Sequence, residues 1–141
     1  MRRTTPTARS TVSVLLPSYN HAHYIGIALS ALAAQTRAPD EILVIEDAST
    51  DDSLAVIESF LDELPQLRIL RNPLNLGVCA SINRGLIEAQ GSHIVCTAAD
   101  DWLEPGFVER MSETVAALPT TRVCVSSYVQ YSEAEHRRVH R

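Results

Sequence analysis

The chain has 141 residues, which is one domain by size and enough to bury a core. Hydrophobic residues make up 45% and charged residues 21%, as in an ordinary soluble globular domain. The net charge of −5 excludes a basic nucleic-acid-binding surface, so nucleic acid is not an expected partner. An acidic domain that holds a phosphate ligand needs a cation or backbone N–H groups to do so.

Cys79, Cys96 and Cys124 are odd in number and widely spaced in apolar surroundings. They read as small core residues rather than a disulfide framework, which predicts a reducing, cytoplasmic setting. Residues 1–11, rich in Thr and Arg, read as a disordered lead-in without the apolar stretch of a signal peptide. The richest apolar helix, Ile25–Ala34, falls far short of the roughly 20 residues that span a bilayer. Such a chain is still compatible with peripheral membrane association.

Val12–Leu16 reads as a first strand with no polar alternation after Ser13, as in a strand covered on both faces. His23–Gln35 spaces Ile25, Ala28, Leu29, Leu32 and Ala33 as a helix, which Pro39 and Asp40 break before a second strand at Glu41–Glu46. Ser49 or Asp51 caps a second helix with Leu54, Ile57, Phe60 and Leu61 as its stripe, and Leu64-Pro65 ends it. Leu67–Leu70 is a third strand, and Asn75-Leu76-Gly77 a turn. The helix Val78–Ala89 follows, with Val78, Ile82, Leu86 and Ala89 on one face. After Gly91, Ser92–Thr97 is a fourth strand, Pro105 starts a fourth helix, and Val123–Ser127 is a fifth strand. The expected organisation is one domain over residues 12–131 and a polar tail over 132–141. This order predicts an α/β fold, a mostly parallel sheet flanked by helices through right-handed crossovers.

The polar clusters fall just past strand ends, where open α/β sheets hold ligands. Pro17-Ser18-Tyr19-Asn20 follows the first strand, Asp47 the second, and Asp100-Asp101 the fourth. Adjacent carboxylates repel each other unless a cation is shared, and hard oxygen ligands suit Mg²⁺ or Mn²⁺. Otherwise Asp100 and Asp101 are a solvated lead-in to the next helix. Asp47 could accept a hydrogen bond from a base N–H such as a uracil imide, or merely cap the helix that follows. Tyr19 could stack on a base, with Ser18 and Asn20 near it. Asn72, Asn75 and Gly77 precede a helix whose N–H groups could face an anion. His21 and His23 lack a third ligand. No dinucleotide-binding glycine motif or Walker sequence is present, so dehydrogenase and P-loop readings fail.

Val12–Asn20, Gln35-Thr36, Ile42–Ser53, Asn75–Val78, Asn83–Leu86 and Ala99–Pro105 come in the order and spacing of one family. The chain resembles family 2 glycosyltransferases of the GT-A fold from about Val12 to Phe107. The resemblance implies a Rossmann-like three-layer sandwich, here truncated after about five strands. It implies a nucleotide site at Pro17, Ser18, Tyr19, Asp47, Gly77 and Asp100, with Tyr19 on the base and Asp47 on its imide. Asp101, with Asp100, would hold Mn²⁺ or Mg²⁺. The donor would be a nucleotide diphosphate sugar, UDP- or dTDP-linked, and the acceptor a saccharide, a lipid-linked group or another hydroxyl. Transfer would be inverting. The family often carries Asp-x-Asp-Asp where this chain has Ala98-Ala99-Asp100-Asp101, so metal binding would rest mainly on Asp101. The catalytic base and acceptor residues are expected beyond residue 141, which makes this stretch a donor-binding fragment. A non-catalytic nucleotide-binding or interaction module with the same fold is the alternative.

Overall fold

The computed structural model describes residues 10–118 in full, and the backbone of residues 129–132 and 137–140. Strands and helices alternate as β1 (Val12–Ser18), α1 (Ile25–Ala33), β2 (Glu41–Glu46), α2 (Ser53–Glu58), β3 (Leu67–Arg71), α3 (Val78–Glu88), β4 (His93–Cys96) and α4 (Phe107–Ala117). The four strands form one parallel sheet in the order β3-β2-β1-β4. Two further strands, β5 (Val129–Ser132) and β6 (Arg137–His140), pair antiparallel with each other. The expected fifth strand at Val123–Ser127 lies outside the described residues. β6 and the last residue of β5 fall within the stretch read as a polar tail.

The chain steps outward from β1 to β2 to β3, then jumps back across β1 to β4. That reversal carries α3 to the opposite face of the sheet from α1 and α2. On the α1 and α2 face, Val14, Leu16, Ile42 and Val44 pack with Ile25, Leu29, Leu32 and Ile57, and Val108 of α4 joins them. On the other face Leu15, Leu43 and Ile45 form a smaller cluster with Leu70 and Ala89. All six residues of β2 are buried, which explains its unbroken apolar run. Among the described residues no helix is long and apolar enough to cross a membrane.

Three expectations are corrected. α3 does not bury Val78 and Leu86; they are 59% and 47% exposed, and Ser81 and Gly85 face the sheet instead. The reason is close approach: a Cβ on Gly85 would collide with the Leu15 side chain and lie 2.9 Å from Ile45 Cδ1. Small residues, not a large apolar stripe, set this helix on its strands. Cys79 and Cys96 are exposed rather than buried. Cys79 sits on the outward side of α3, and Cys96 on β4, which has β1 as its one partner among the described residues. Finally, β1 runs on through Pro17 to Ser18 opposite Ile45 and Glu46.

Candidate functional site

Because the four strands are parallel, their carboxyl ends form a single edge. Tyr19 follows β1 there, Asp47 follows β2, Gly77 opens α3 after β3, and Asp100-Asp101 lie shortly after β4. The order reverses between β2 and β4 about β1, which is where such sheets part to admit a ligand. Pro17 contributes directly. Leu15 O accepts Thr97 N from the β4 side, whereas Ser18 O accepts Asp47 N from the β2 side. Pro17, in phase with Leu15, therefore turns a nitrogen without hydrogen toward β4, whose ladder has already ended at Cys96.

Two loops are laced together on this edge. Asn20 N donates to Ser49 Oγ at 3.0 Å, and Thr50 N donates to Asn20 Oδ1 at 2.8 Å. His21 N reaches Ser53 Oγ and Ala22 N reaches Asp51 Oδ2. Asn20 and Ala48 take positive φ, 55° and 60°, at the bends that make this lacing possible. Asp51 also accepts from Ser53 N, while the N-cap of α2 is Asp52, which makes no side-chain cap bond. Ser49 is thus engaged with Glu46 and Asn20 rather than with the helix.

Asp47 is 3% exposed and serves as the acceptor for the next loop. Oδ1 receives Asn72 Nδ2 at 2.6 Å and Leu76 N at 2.9 Å; Oδ2 receives Gly77 N at 2.8 Å. Burial pushes this carboxyl up, but the bonds from Leu76, Asn72 and Gly77 outweigh it and hold the group below the usual carboxylate range. The anion at the turn before α3 is therefore the protein's own. Gly77, at φ +84°, allows its N–H to turn inward.

Tyr19 is 40% exposed on the edge, available for stacking. Ser18 is 2% exposed, and its hydroxyl has no hydrogen-bond partner among the described residues. Asp100 and Asp101 are both exposed. Partial burial and the neighbouring Asp100 push the Asp101 carboxyl up. The described residues hold no group of three or more His, Cys, Asp or Glu side chains arranged for a metal. Two adjacent carboxylates nevertheless suit Mg²⁺ or Mn²⁺, ions that take one or two such ligands and complete their shell with phosphate and water.

Gln35 was legible only as part of a motif, and its work is visible in the fold. It is 8% exposed; its amide nitrogen donates to Ala31 O, Leu103 O and Glu104 O, and its oxygen accepts Val108 N at 3.0 Å. Thr36 adds bonds to Pro105 O and Glu109 Oε2. Together they moor the segment that follows Asp100-Asp101. A cleft of about 530 Å³ opens beside these loops at the ends of β2 and β3, lined by Glu46, Ser49, Leu54, Arg71, Asn72 and Pro73 among others. None of Tyr19, Asp47, Gly77 or Asp100 lines it.

A parallel sheet flanked by helices, with hydroxyl, aromatic and acidic side chains gathered at its carboxyl edge, defines an α/β domain. The model of the family described as glycosyl transferase family 2 matches residues 13–141, and the chain belongs to that family. It is 28% identical over 124 residues to the glycosyltransferase GlyA of Streptococcus pneumoniae serotype 4, covering 88% of this chain and 18% of that protein. It is 36% identical over 98 residues to the chondroitin synthase of Pasteurella multocida, covering 70% and 10%. The chain thus spans a minor part of the length of these relatives. Among solved structures, S. aureus TarS in complex with UDP-GlcNAc superposes with TM-score 0.73 at 24% identity, over 83% of this chain and 37% of that one, a likeness of fold. The mannosyltransferase PcManGT of Pyrobaculum calidifontis, in complex with GDP-Man and Mn²⁺, superposes with TM-score 0.70 at 28% identity, over 86% and 37%.

Proposed function

We propose that this chain is the donor-binding part of a glycosyltransferase that takes a sugar from a nucleotide diphosphate sugar. The observation that carries the reading is the meeting of Tyr19, Asp47, Gly77 and Asp100-Asp101 on one carboxyl edge. In this reading Tyr19 stacks on the base and Ser18 offers its unpartnered hydroxyl nearby. The Asp47 carboxylate, held in place by Asn72, Leu76 and Gly77 with the Ser81 hydroxyl beside it, is in this reading the acceptor for a base imide. That favours uridine or thymidine, which share the imide edge.

Asp100 lies toward the ribose and diphosphate, and Asp101 is the principal ligand of Mn²⁺ or Mg²⁺. The metal, when bound, offsets the charge that develops on the leaving diphosphate. The protein's part is to hold the donor with its anomeric carbon open to an acceptor hydroxyl, a saccharide or lipid-linked group, and inversion follows from direct attack. A cytoplasmic location belongs to the same proposal, supported by the free thiols of Cys79 and Cys96.

Calorimetric titration with UDP and GDP, with and without Mn²⁺, tests the reading. UDP should bind, more tightly with metal, and Asp101→Asn should remove the metal-dependent part. Binding of neither nucleotide to a folded chain, or an Asp101→Asn chain that keeps its response to Mn²⁺, would sink it.

A further inference from the structure

Behind Asp47 runs a line of side chains that makes no part of the donor contacts proposed above. Arg84, midway along α3, donates from Nη1 to Arg71 O at 2.7 Å and to Asn72 Oδ1 at 2.5 Å. Asn72, 5% exposed, then donates from Nδ2 to Asp47 Oδ1 at 2.6 Å and to the buried Ser81 Oγ at 2.9 Å. Asp47 completes the line by accepting Leu76 N and Gly77 N.

From Arg84 to Asp47 the bonds run in one sense, from guanidinium to amide oxygen and from amide nitrogen to carboxylate, and bonds so aligned polarise one another. Arg84 also fixes which way the Asn72 amide faces. With its oxygen claimed by the guanidinium, Asn72 must turn its nitrogen to Asp47; the flipped amide would set two acceptors against each other. The positive charge thus reaches Asp47 through a neutral spacer. A direct ion pair would occupy the carboxylate oxygens that Leu76 and Gly77 use.

The loop depends on this arrangement. Pro73, Leu74, Asn75 and Leu76 are all exposed, so among the described residues no buried apolar side chain anchors the turn, which is tied to the sheet by the two bonds to Asp47, with Gly77 N shared with Asn75 Oδ1.

We propose that Asn72 and Arg84 are positioning residues of the donor site: they orient the Asp47 carboxylate and, through it, hold Leu76 and Gly77 in place beside the base. Neither touches the nucleotide. The inference rests on the donor-site reading above.

The test uses Arg84→Met, Arg84→Lys and Asn72→Asp in the 141-residue chain, with two readouts. Amide hydrogen exchange is followed at Leu76 and Gly77, with Leu15 and Val44 in the sheet as the control for folding. UDP affinity is measured in Mn²⁺. Arg84→Met should speed exchange at Leu76 and Gly77 by about tenfold or more, leave Leu15 and Val44 protected, and weaken UDP by roughly threefold to thirtyfold. Arg84→Lys, which keeps a cationic donor, should recover most of both. Asn72→Asp, which sets a second carboxylate against Asp47, should be the most severe. Unchanged protection in Arg84→Met, faster exchange with unaltered UDP affinity, or a Lys variant as weak as the Met one each overturns the proposal. If the unaltered chain binds no UDP, it is the donor-site reading that falls, and this inference falls with it; the exchange data would then show separately whether the line holds the loop.

Discussion

Glu41 and Asp47 stand at opposite ends of β2, one its first residue and the other just past its last, and between them they hold both ends of α3. Asp47 accepts Gly77 N at the helix start, and Glu41 accepts Gln90 N just past the helix end at 2.9 Å. Glu41 also takes the Ser13 hydroxyl at 2.5 Å and pairs with Arg68. α3 turns Ser81 and Gly85 to the sheet, so it gains little from apolar burial, and the two carboxylates supply what the packing does not.

Acid should therefore loosen α3 first. Burial pushes the Glu41 carboxyl up, but bonds from Gln90, Ser13 and Arg68 outweigh it, and both Glu41 and Asp47 sit below the usual carboxylate range. A group with a lowered folded pKa contributes stability above its unfolded pKa, and that contribution is lost as pH falls through the folded value. Urea unfolding at a series of acidic pH values should show stability falling on acidification, with a shallower slope in Glu41→Gln. An equal slope in the variant would rule Glu41 out as a contributor.

Gly85→Ala should cost about 1–3 kcal/mol, because the new methyl group enters space filled by Leu15 and Ile45. Chemical denaturation measures it. A neutral result would mean that α3 can lift from the sheet without penalty.

Ala48 holds φ 60°, a conformation that costs an L-residue about 1–2 kcal/mol and glycine almost nothing. Some of the gain from Ala48→Gly is returned through the greater freedom of the unfolded chain. The melting midpoint of Ala48→Gly should hold or rise; a clear fall would show that the Ala48 methyl group makes a contact worth more than the strain.

Gln35→Leu removes partners from Leu103, Glu104 and Val108 together, and should cost about 2–4 kcal/mol. It should also weaken the effect of Mn²⁺ on UDP binding, since the acidic turn loses its mooring. Denaturation and calorimetry on the same variant check the two parts separately.

Much of this was legible in the sequence where burial is complete. β2 falls on Glu41–Glu46 as read, since a strand buried on both faces has no alternation to blur its ends. α3 misled because an apolar stripe normally marks the inward face, whereas here the shortage of space between helix and strands selects Ser81 and Gly85. That signal is the Gly85 in mid-helix, which has no other reason to be there. Asp47 could be singled out as an acid past a strand, but its partners Asn72, Leu76 and Gly77 lie about 25 to 30 residues away, and no local pattern announces them.

Pro17 leaves a mark on the carboxyl edge by an omission. Any other residue in its place would aim a donor into the space between β1 and β4, either drawing the next segment into the ladder or leaving an N–H to be satisfied by whatever entered. The imino acid does neither, so the mouth of the crevice needs no partner to stay apart. A donor bound as proposed above would have no strand to displace there.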